Sequence, residues 1–74
     1  MESKVLEIIN SIRLVKGLSS LSSIHPDDTL RDTLGFTSFD LAELTVRIED
    51  EFDIDIFEDG LINTVGEIYS KLEK

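Results

Sequence analysis

The sequence contains no cysteine and only one histidine. Without cysteine, the chain has no disulfide, no thiolate metal ligand and no thiol nucleophile. The histidine, His25, has no second histidine or cysteine with which to form a metal site or an activated nucleophile. No phosphate-binding loop is present either. We therefore expect no metal site and no catalytic residues, and we interpret the chain as non-enzymatic.

Long apolar runs are also absent, and so is the apolar core of a signal peptide near the N-terminus. We therefore expect a cytoplasmic protein that does not insert into membranes. Basic residues are few: 16 acidic residues against seven basic ones give a net charge of -9. This charge repels the phosphates of nucleic acids and favours protein partners that have basic patches.

The length of 74 residues allows one domain, residues 1–74, with one small core. A hydrophobic content of 41% is close to that of globular proteins, although 31% of the residues are charged. A conventional cleft with converging polar groups is difficult to build beside so small a core. We therefore expect a compact monomer that binds or carries something.

Three segments have apolar residues at the three- and four-residue intervals of an amphipathic helix. The first extends from Ser3 to Lys16 and is followed by Gly17, which favours a helix stop. The second begins near Ser38 and the third near Val65. The apolar face predicted for the first helix consists of Val5, Ile8, Ile9, Ile12 and Val15. The long connection from Leu18 to Phe36 contains Leu21, Ile24, Leu30 and Leu34, and we predict that these residues pin it to the core as an ordered loop.

The start of the second helix contains a candidate modification site. Thr37 is the predicted N-cap, and Asp40 completes a capping box in which aspartate replaces glutamate. Ser38 then occupies the first helical position, where free backbone N–H groups and the helix dipole favour a phosphate. Serine is common at such positions, so position alone does not identify a modified residue.

At about 100° per residue, the second helix has two apolar faces. One face, expected in the core, contains Leu41, Leu44, Ile48 and Phe52. The other is a stripe of Phe39, Ala42 and Val46 that begins beside Ser38 and has Glu43 and Asp50 at its edges. An apolar stripe edged with carboxylates suits a partner with an apolar groove inside a basic patch. The predicted partner-binding residues are Thr37, Phe39, Asp40, Ala42, Glu43, Val46, Arg47 and Asp50.

Acidic residues are concentrated in the stretch 40–59, where Arg47 is the only base. They are Asp40, Glu43, Glu49, Asp50, Glu51, Asp53, Asp55, Glu58 and Asp59. We interpret this stretch as part of a docking surface. It does not have the spacing of a calcium loop, because Phe57, Glu58 and Thr64 stand where a ligand, a glycine and a glutamate are required.

The segment 34–44, Leu-Gly-Phe-Thr-Ser-Phe-Asp-Leu-Ala-Glu-Leu, resembles the signature of acyl carrier proteins, in which an Asp-Ser-Leu triplet opens the second helix. The resemblance covers the whole chain, including Glu49-Asp50-Glu51-Phe52 and Thr64-Val65. It implies a small four-helix bundle with a long first loop and a short third helix. It also implies that Ser38 carries 4′-phosphopantetheine, attached from coenzyme A by a phosphopantetheinyl transferase. Acyl groups would be held on this arm as thioesters and presented to loading, transfer or synthase enzymes of fatty acid, polyketide or related biosynthesis.

Three departures from the family pattern favour a carrier of a specialised pathway. Thr37 replaces the usual aspartate, Phe39 replaces the usual leucine, and the segment from Ile54 to Asn63 is about two residues shorter than usual and contains Gly60. The third helix is therefore expected to be a single turn. Two alternatives remain open: an aminoacyl or peptidyl carrier, although these usually have paired glycines before the serine, and an unmodified acidic helical interaction module.

Overall fold

The computed structural model describes residues 2–58 and 60–73. It contains three helices: α1 over Glu2–Val15, α2 over Ser38–Phe52 and α3 over Val65–Leu72. The described residues form no strand, only one isolated antiparallel bridge between Thr29 and Thr64. The predicted all-α fold is confirmed.

The four-helix count is not confirmed, because the described residues of the segment 54–63 form turns. The Asp55 carboxylate accepts a hydrogen bond from the amide of Phe57 at 2.9 Å, and the Asp55 carbonyl accepts one from Glu58 at 3.2 Å. Such a side-chain bond competes with helical hydrogen bonding. Gly60 then has a φ of 129°, which a helix cannot contain. Asp59, one of the nine acidic residues noted above, lies outside the described residues.

The core consists of residues from all three helices and from both connections. Each fully buried aliphatic side chain contributes about 1.5–3 kcal/mol to folding. The buried apolar residues are Val5, Ile8, Ile9, Ile12, Leu30, Leu34, Phe36, Leu41, Leu44, Ile48, Ile56, Ile62, Val65, Ile68 and Tyr69. Phe52, predicted on the core face of α2, is only partly buried against this cluster.

The last turn of α1 differs from the prediction. Val15 was expected on the buried face, but it is 82% exposed. Arg13 turns inwards instead, and its guanidinium donates hydrogen bonds to the carbonyl oxygens of Leu34 at 2.6 Å and Ser19 at 3.1 Å. These bonds satisfy a buried charged group and tie the long loop to α1.

The long loop is ordered by buried side chains and by specific hydrogen bonds. Leu30 and Leu34 are fully buried, and Leu21 and Ile24 are partly buried against the core. The Asn10 side chain forms two hydrogen bonds with the backbone of Leu21, at 2.8 and 2.9 Å. The loop therefore fixes the position of the residues that precede α2.

Candidate functional site

The N-terminus of α2 has the predicted capping box. Thr37 has extended backbone angles, and its hydroxyl accepts a hydrogen bond from the Asp40 amide at 3.3 Å. The Asp40 carboxylate accepts one from the Thr37 amide at 2.8 Å. Ser38 is therefore the first residue of α2, and its side chain is exposed.

Asp40 is a correction to the predicted partner-binding set. The residue is only 6% exposed, and its carboxylate accepts hydrogen bonds from the Lys16 ammonium and from Thr37. These bonds, first to the Lys16 side chain and then to the Thr37 backbone, hold the pKa of Asp40 below its usual value of 3.8. Asp40 therefore links the end of α1 to the start of α2, and its carboxylate is buried instead of exposed at the predicted partner-binding surface.

The first two amides of α2 have no acceptor in the part of the chain that the structure describes. Among residues 2–58 and 60–73, no hydrogen bond extends from the amide of Ser38 or of Phe39. Free amides at a helix start, together with the positive end of the helix dipole, favour an anion at this position.

Arg31 is a site residue that the sequence reasoning missed. Its Nη2 donates a hydrogen bond to the Ser38 hydroxyl oxygen at 2.8 Å. In the described part of the chain Arg31 forms no salt bridge. One signal was available, because Arg31 is the only basic residue between Gly17 and Val46.

A short turn holds Arg31 beside Ser38. The hydroxyls of Thr29 and Thr33 each accept a hydrogen bond from the other residue's amide, at 3.0 and 3.1 Å. Leu30 and Leu34 anchor the turn in the core, and the Leu34 amide donates to the Thr29 carbonyl at 3.0 Å. Gly35, with a φ of 77°, then redirects the chain towards α2, a conformation that favours glycine.

An open apolar groove of about 210 Å³ lies beside Ser38, between α2 and the segment 54–63. Leu61, on its wall, is 91% exposed. No function was predicted from the sequence for Phe57 or Leu61. The groove is lined by Arg31, Ser38, Leu41, Ala42, Thr45, Phe57 and Leu61.

The stripe predicted on α2 is exposed. Phe39 is 78% exposed, Val46 is 67% exposed, and Ala42 lies between them on the surface. Exposed apolar side chains that follow one another along one helix face mark a candidate interaction surface.

The polar residues around the stripe differ in their contacts. Thr37 and Asp50 are exposed. Glu43 and Arg47 are half-buried and form an ion pair, with an Nε–Oε2 distance of 2.9 Å.

Within the described ranges, no group of three or more histidine, aspartate or glutamate side chains is arranged to hold a metal ion.

A comparison with protein families matches residues 4–72 to the model described as phosphopantetheine attachment site. Domains of this family bind 4′-phosphopantetheine covalently, are modified by phosphopantetheinyl transferases and interact with synthase enzymes. None of the helices is long and apolar enough to cross a membrane, among the residues that the structure describes.

Proposed function

Because the chain belongs to the phosphopantetheine attachment site family, we propose that it is an acyl carrier protein whose 4′-phosphopantetheine arm is attached to Ser38. The arm holds acyl groups as thioesters and presents them to enzymes of fatty acid, polyketide or related specialised biosynthesis. The observation that carries this assignment is the exposed Ser38 hydroxyl at the first position of α2, 2.8 Å from the Arg31 guanidinium.

The residues around Ser38 fit a phosphate-linked arm. The hydroxyl is accessible to a transferase, and the guanidinium of Arg31 and the amides of Ser38 and Phe39 offer donors to an anion. The arm supplies the thiol that this cysteine-free chain lacks. We assign no catalytic role to the chain, because the chemistry on the thiol belongs to partner enzymes.

The attachment step requires one nucleophilic oxygen from this chain. The Oγ of Ser38 forms a bond to the phosphorus of coenzyme A that bears the pantetheine. The bond from that phosphorus to the adenosine bisphosphate leaving group breaks, and the hydroxyl proton passes to a base of the transferase. The capping box keeps Ser38 at the helix start, where the oxygen is accessible.

We assign partner docking to the exposed stripe and its polar neighbours. Phe39, Ala42 and Val46 provide apolar contact area, and Glu43 and Asp50 provide negative charge at its edges. We also assign to this surface Thr37, which precedes the first residue of α2, and Arg47, which is on α2. Negative charge steers a basic partner, and apolar contacts hold it.

The attachment site is tested by incubating the apo protein with coenzyme A and a promiscuous phosphopantetheinyl transferase, followed by intact mass measurement. We expect wild type and the control Ser70→Ala, an exposed serine on α3, to gain the mass of one phosphopantetheinyl group. Ser38→Ala is expected to gain none. If Ser38→Ala gains the same mass as wild type, the arm is on another residue and the assignment is wrong.

The acyl cargo is tested separately with the loaded protein. One sample receives ATP, fatty acids and an acyl–carrier ligase, and another receives ATP, amino acids and an amino-acid-activating ligase. We expect thioester formation in the first sample. Charging only in the second would replace the acyl assignment by an aminoacyl carrier while leaving the Ser38 attachment intact.

A further inference from the structure

The charged side chains at the start of α2 include a cation in contact with Ser38. The protein has a net charge of -9, but the carboxylate of Asp40, in the first turn of α2, is buried and paired with Lys16. Thr37, on the other side of Ser38, is uncharged. Arg31 brings a positive charge to the serine oxygen itself.

The Arg31 guanidinium has more N–H donors than its hydrogen bond to Ser38 uses. It donates to the Ser38 hydroxyl, and it forms no salt bridge within residues 2–58 and 60–73. A guanidinium carries five N–H donors in a planar fork that matches two oxygens of one phosphate. The two hydrogen bonds between Thr29 and Thr33, together with the buried Leu30, fix the backbone that carries the Arg31 side chain.

We propose that Arg31 is a positioning residue that holds the phosphate of the arm, an inference that rests on the proposed attachment at Ser38. After attachment, the Ser38 oxygen is an ester oxygen, and the phosphodiester carries one negative charge that its two unesterified oxygens share. The bond from the Arg31 guanidinium to a neutral hydroxyl is then replaced by bonds between two oppositely charged groups, which are stronger. The free amides of Ser38 and Phe39 add donors on the same helix start.

This contact fixes the first atoms of the arm at the mouth of the groove, because Arg31 and Ser38 both line it. An arm attached to an exposed serine without such a contact would rotate freely about the ester bonds. Arg31 therefore reduces the range of directions in which the arm leaves the protein.

The test compares loaded wild type, Arg31→Gln, Arg31→Lys and the control Lys4→Gln, which removes a cation on α1 that is paired with Glu51. Phosphorus NMR reports the chemical shift of the phosphodiester, and nitrogen NMR reports the Arg31 Nε–Hε signal of wild type before and after loading. We expect Arg31→Gln to move the phosphorus signal by more than its line width. Arg31→Lys should restore part of the shift, and Lys4→Gln should leave it unchanged.

In wild type, loading is expected to shift the Arg31 Nε–Hε signal, a measurement that does not depend on any variant. Raising the salt concentration should reduce both shifts, because exposed charges are screened over about 10 Å at 0.1 M ionic strength. The phosphate contact is refuted, and the attachment stands, if wild type is loaded at Ser38 but the Arg31 variants leave the phosphorus signal unchanged and loading leaves the Arg31 Nε–Hε signal unchanged. If wild type is not loaded at all, both proposals fail.

Discussion

The starts of α2 and α3 have the same capping motif but different surroundings. At α3, Thr64 caps the helix and Glu67 completes the box, as Thr37 and Asp40 do at α2. The first helical residue after the cap is the fully buried Val65 in α3 and the exposed Ser38 in α2.

The backbone amides show the same contrast. In α3 the first two amides donate to the long loop, from Val65 to the Asp28 carbonyl at 2.9 Å and from Gly66 to the Pro26 carbonyl at 3.0 Å. The loop comes so close that a Cβ on Gly66 would lie 3.1 Å from the Pro26 oxygen. In α2, the amides of Ser38 and Phe39 have no such partner among the described residues.

The contrast shows that a capping box determines where a helix begins and not what the helix start does. The start of α3 is closed by the loop, and its donors are used in folding. The start of α2 is open, with the exposed Ser38 hydroxyl, the Arg31 guanidinium and two amides that donate to no acceptor in residues 2–58 and 60–73. Substitutions at the first residues of α2 and α3 and in their capping boxes test this distinction.

The largest effect on folding is expected from the first helical residues. Val65→Ala removes buried methyl groups from a side chain that is 0% exposed, and it should lower the free energy of unfolding by about 2 kcal/mol. Ser38→Ala changes an exposed side chain and should stay within about 0.5 kcal/mol of wild type. Urea unfolding at pH 7 measures both values.

Loading should rank the same two variants in the opposite order. Val65→Ala, assayed at a temperature where it is folded, should still accept the phosphopantetheinyl group, and Ser38→Ala should not. Equal losses of stability in both variants would show that the two helix starts are not divided into a structural and a functional one.

A smaller effect is expected from the acidic residues of the two boxes. Asp40→Asn removes the charge that pairs with Lys16 and should cost about 1–2 kcal/mol at pH 7. Glu67→Gln should cost less than about 0.5 kcal/mol, because glutamine is also accepted in a capping box.

The pH dependence of the Asp40 effect follows from its lowered pKa, whose main cause is the hydrogen bond from Lys16. A carboxyl with a lower pKa in the folded state stabilises the protein fully above its unfolded value, here 3.8, and loses this contribution as the pH falls through the folded pKa. The stabilities of wild type and Asp40→Asn should therefore begin to approach each other as the pH falls below 3.8, and they should converge as it falls through the lower pKa of the folded state. Carbon NMR of the Asp40 carboxyl should give a midpoint below 3.8, and Lys16→Gln should raise it. A midpoint unaffected by Lys16→Gln would contradict this explanation.

The sequence predicted the features that depend on local pattern. The three helices, the cap of α2, and the exposure of Phe39 and Val46 follow from apolar spacing and capping chemistry, which depend on residues close together in the sequence. Features that depend on tertiary neighbours were missed. The inward turn of Asp40 requires Lys16, which follows the end of α1, and the contact of Arg31 with Ser38 requires a loop folded back on α2.

The wrong prediction at Val15 and the unconfirmed third helix of the segment 54–63 have related causes. Helical periodicity placed Val15 on the buried face, but the buried Arg13 takes the inner position because loop carbonyls are there to accept its hydrogen bonds. In the segment 54–63, the Asp55 side chain and the backbone of Gly60 favour turns, and apolar residues alone do not report such local competition.

The smallest effect is expected at the stripe that extends from the open start of α2. Phe39→Asp should leave the unfolding transition within about 0.5 kcal/mol of wild type, because Phe39 is 78% exposed. It should weaken recognition by the transferase by about 1 kcal/mol, measured as an approximately fivefold rise in KM for the apo protein. Phe39→Ala separates the loss of apolar contact from the added charge, and Ser70→Asp places the same charge on α3, where KM should not change.

A large loss of stability in Phe39→Asp would place the Phe39 side chain in the core, and an unchanged KM would remove it from the docking surface. A rise in KM for Phe39→Asp alone, without one for Phe39→Ala, would assign the docking effect to charge, and the open helix start would then depend on its electrostatics more than on its apolar stripe.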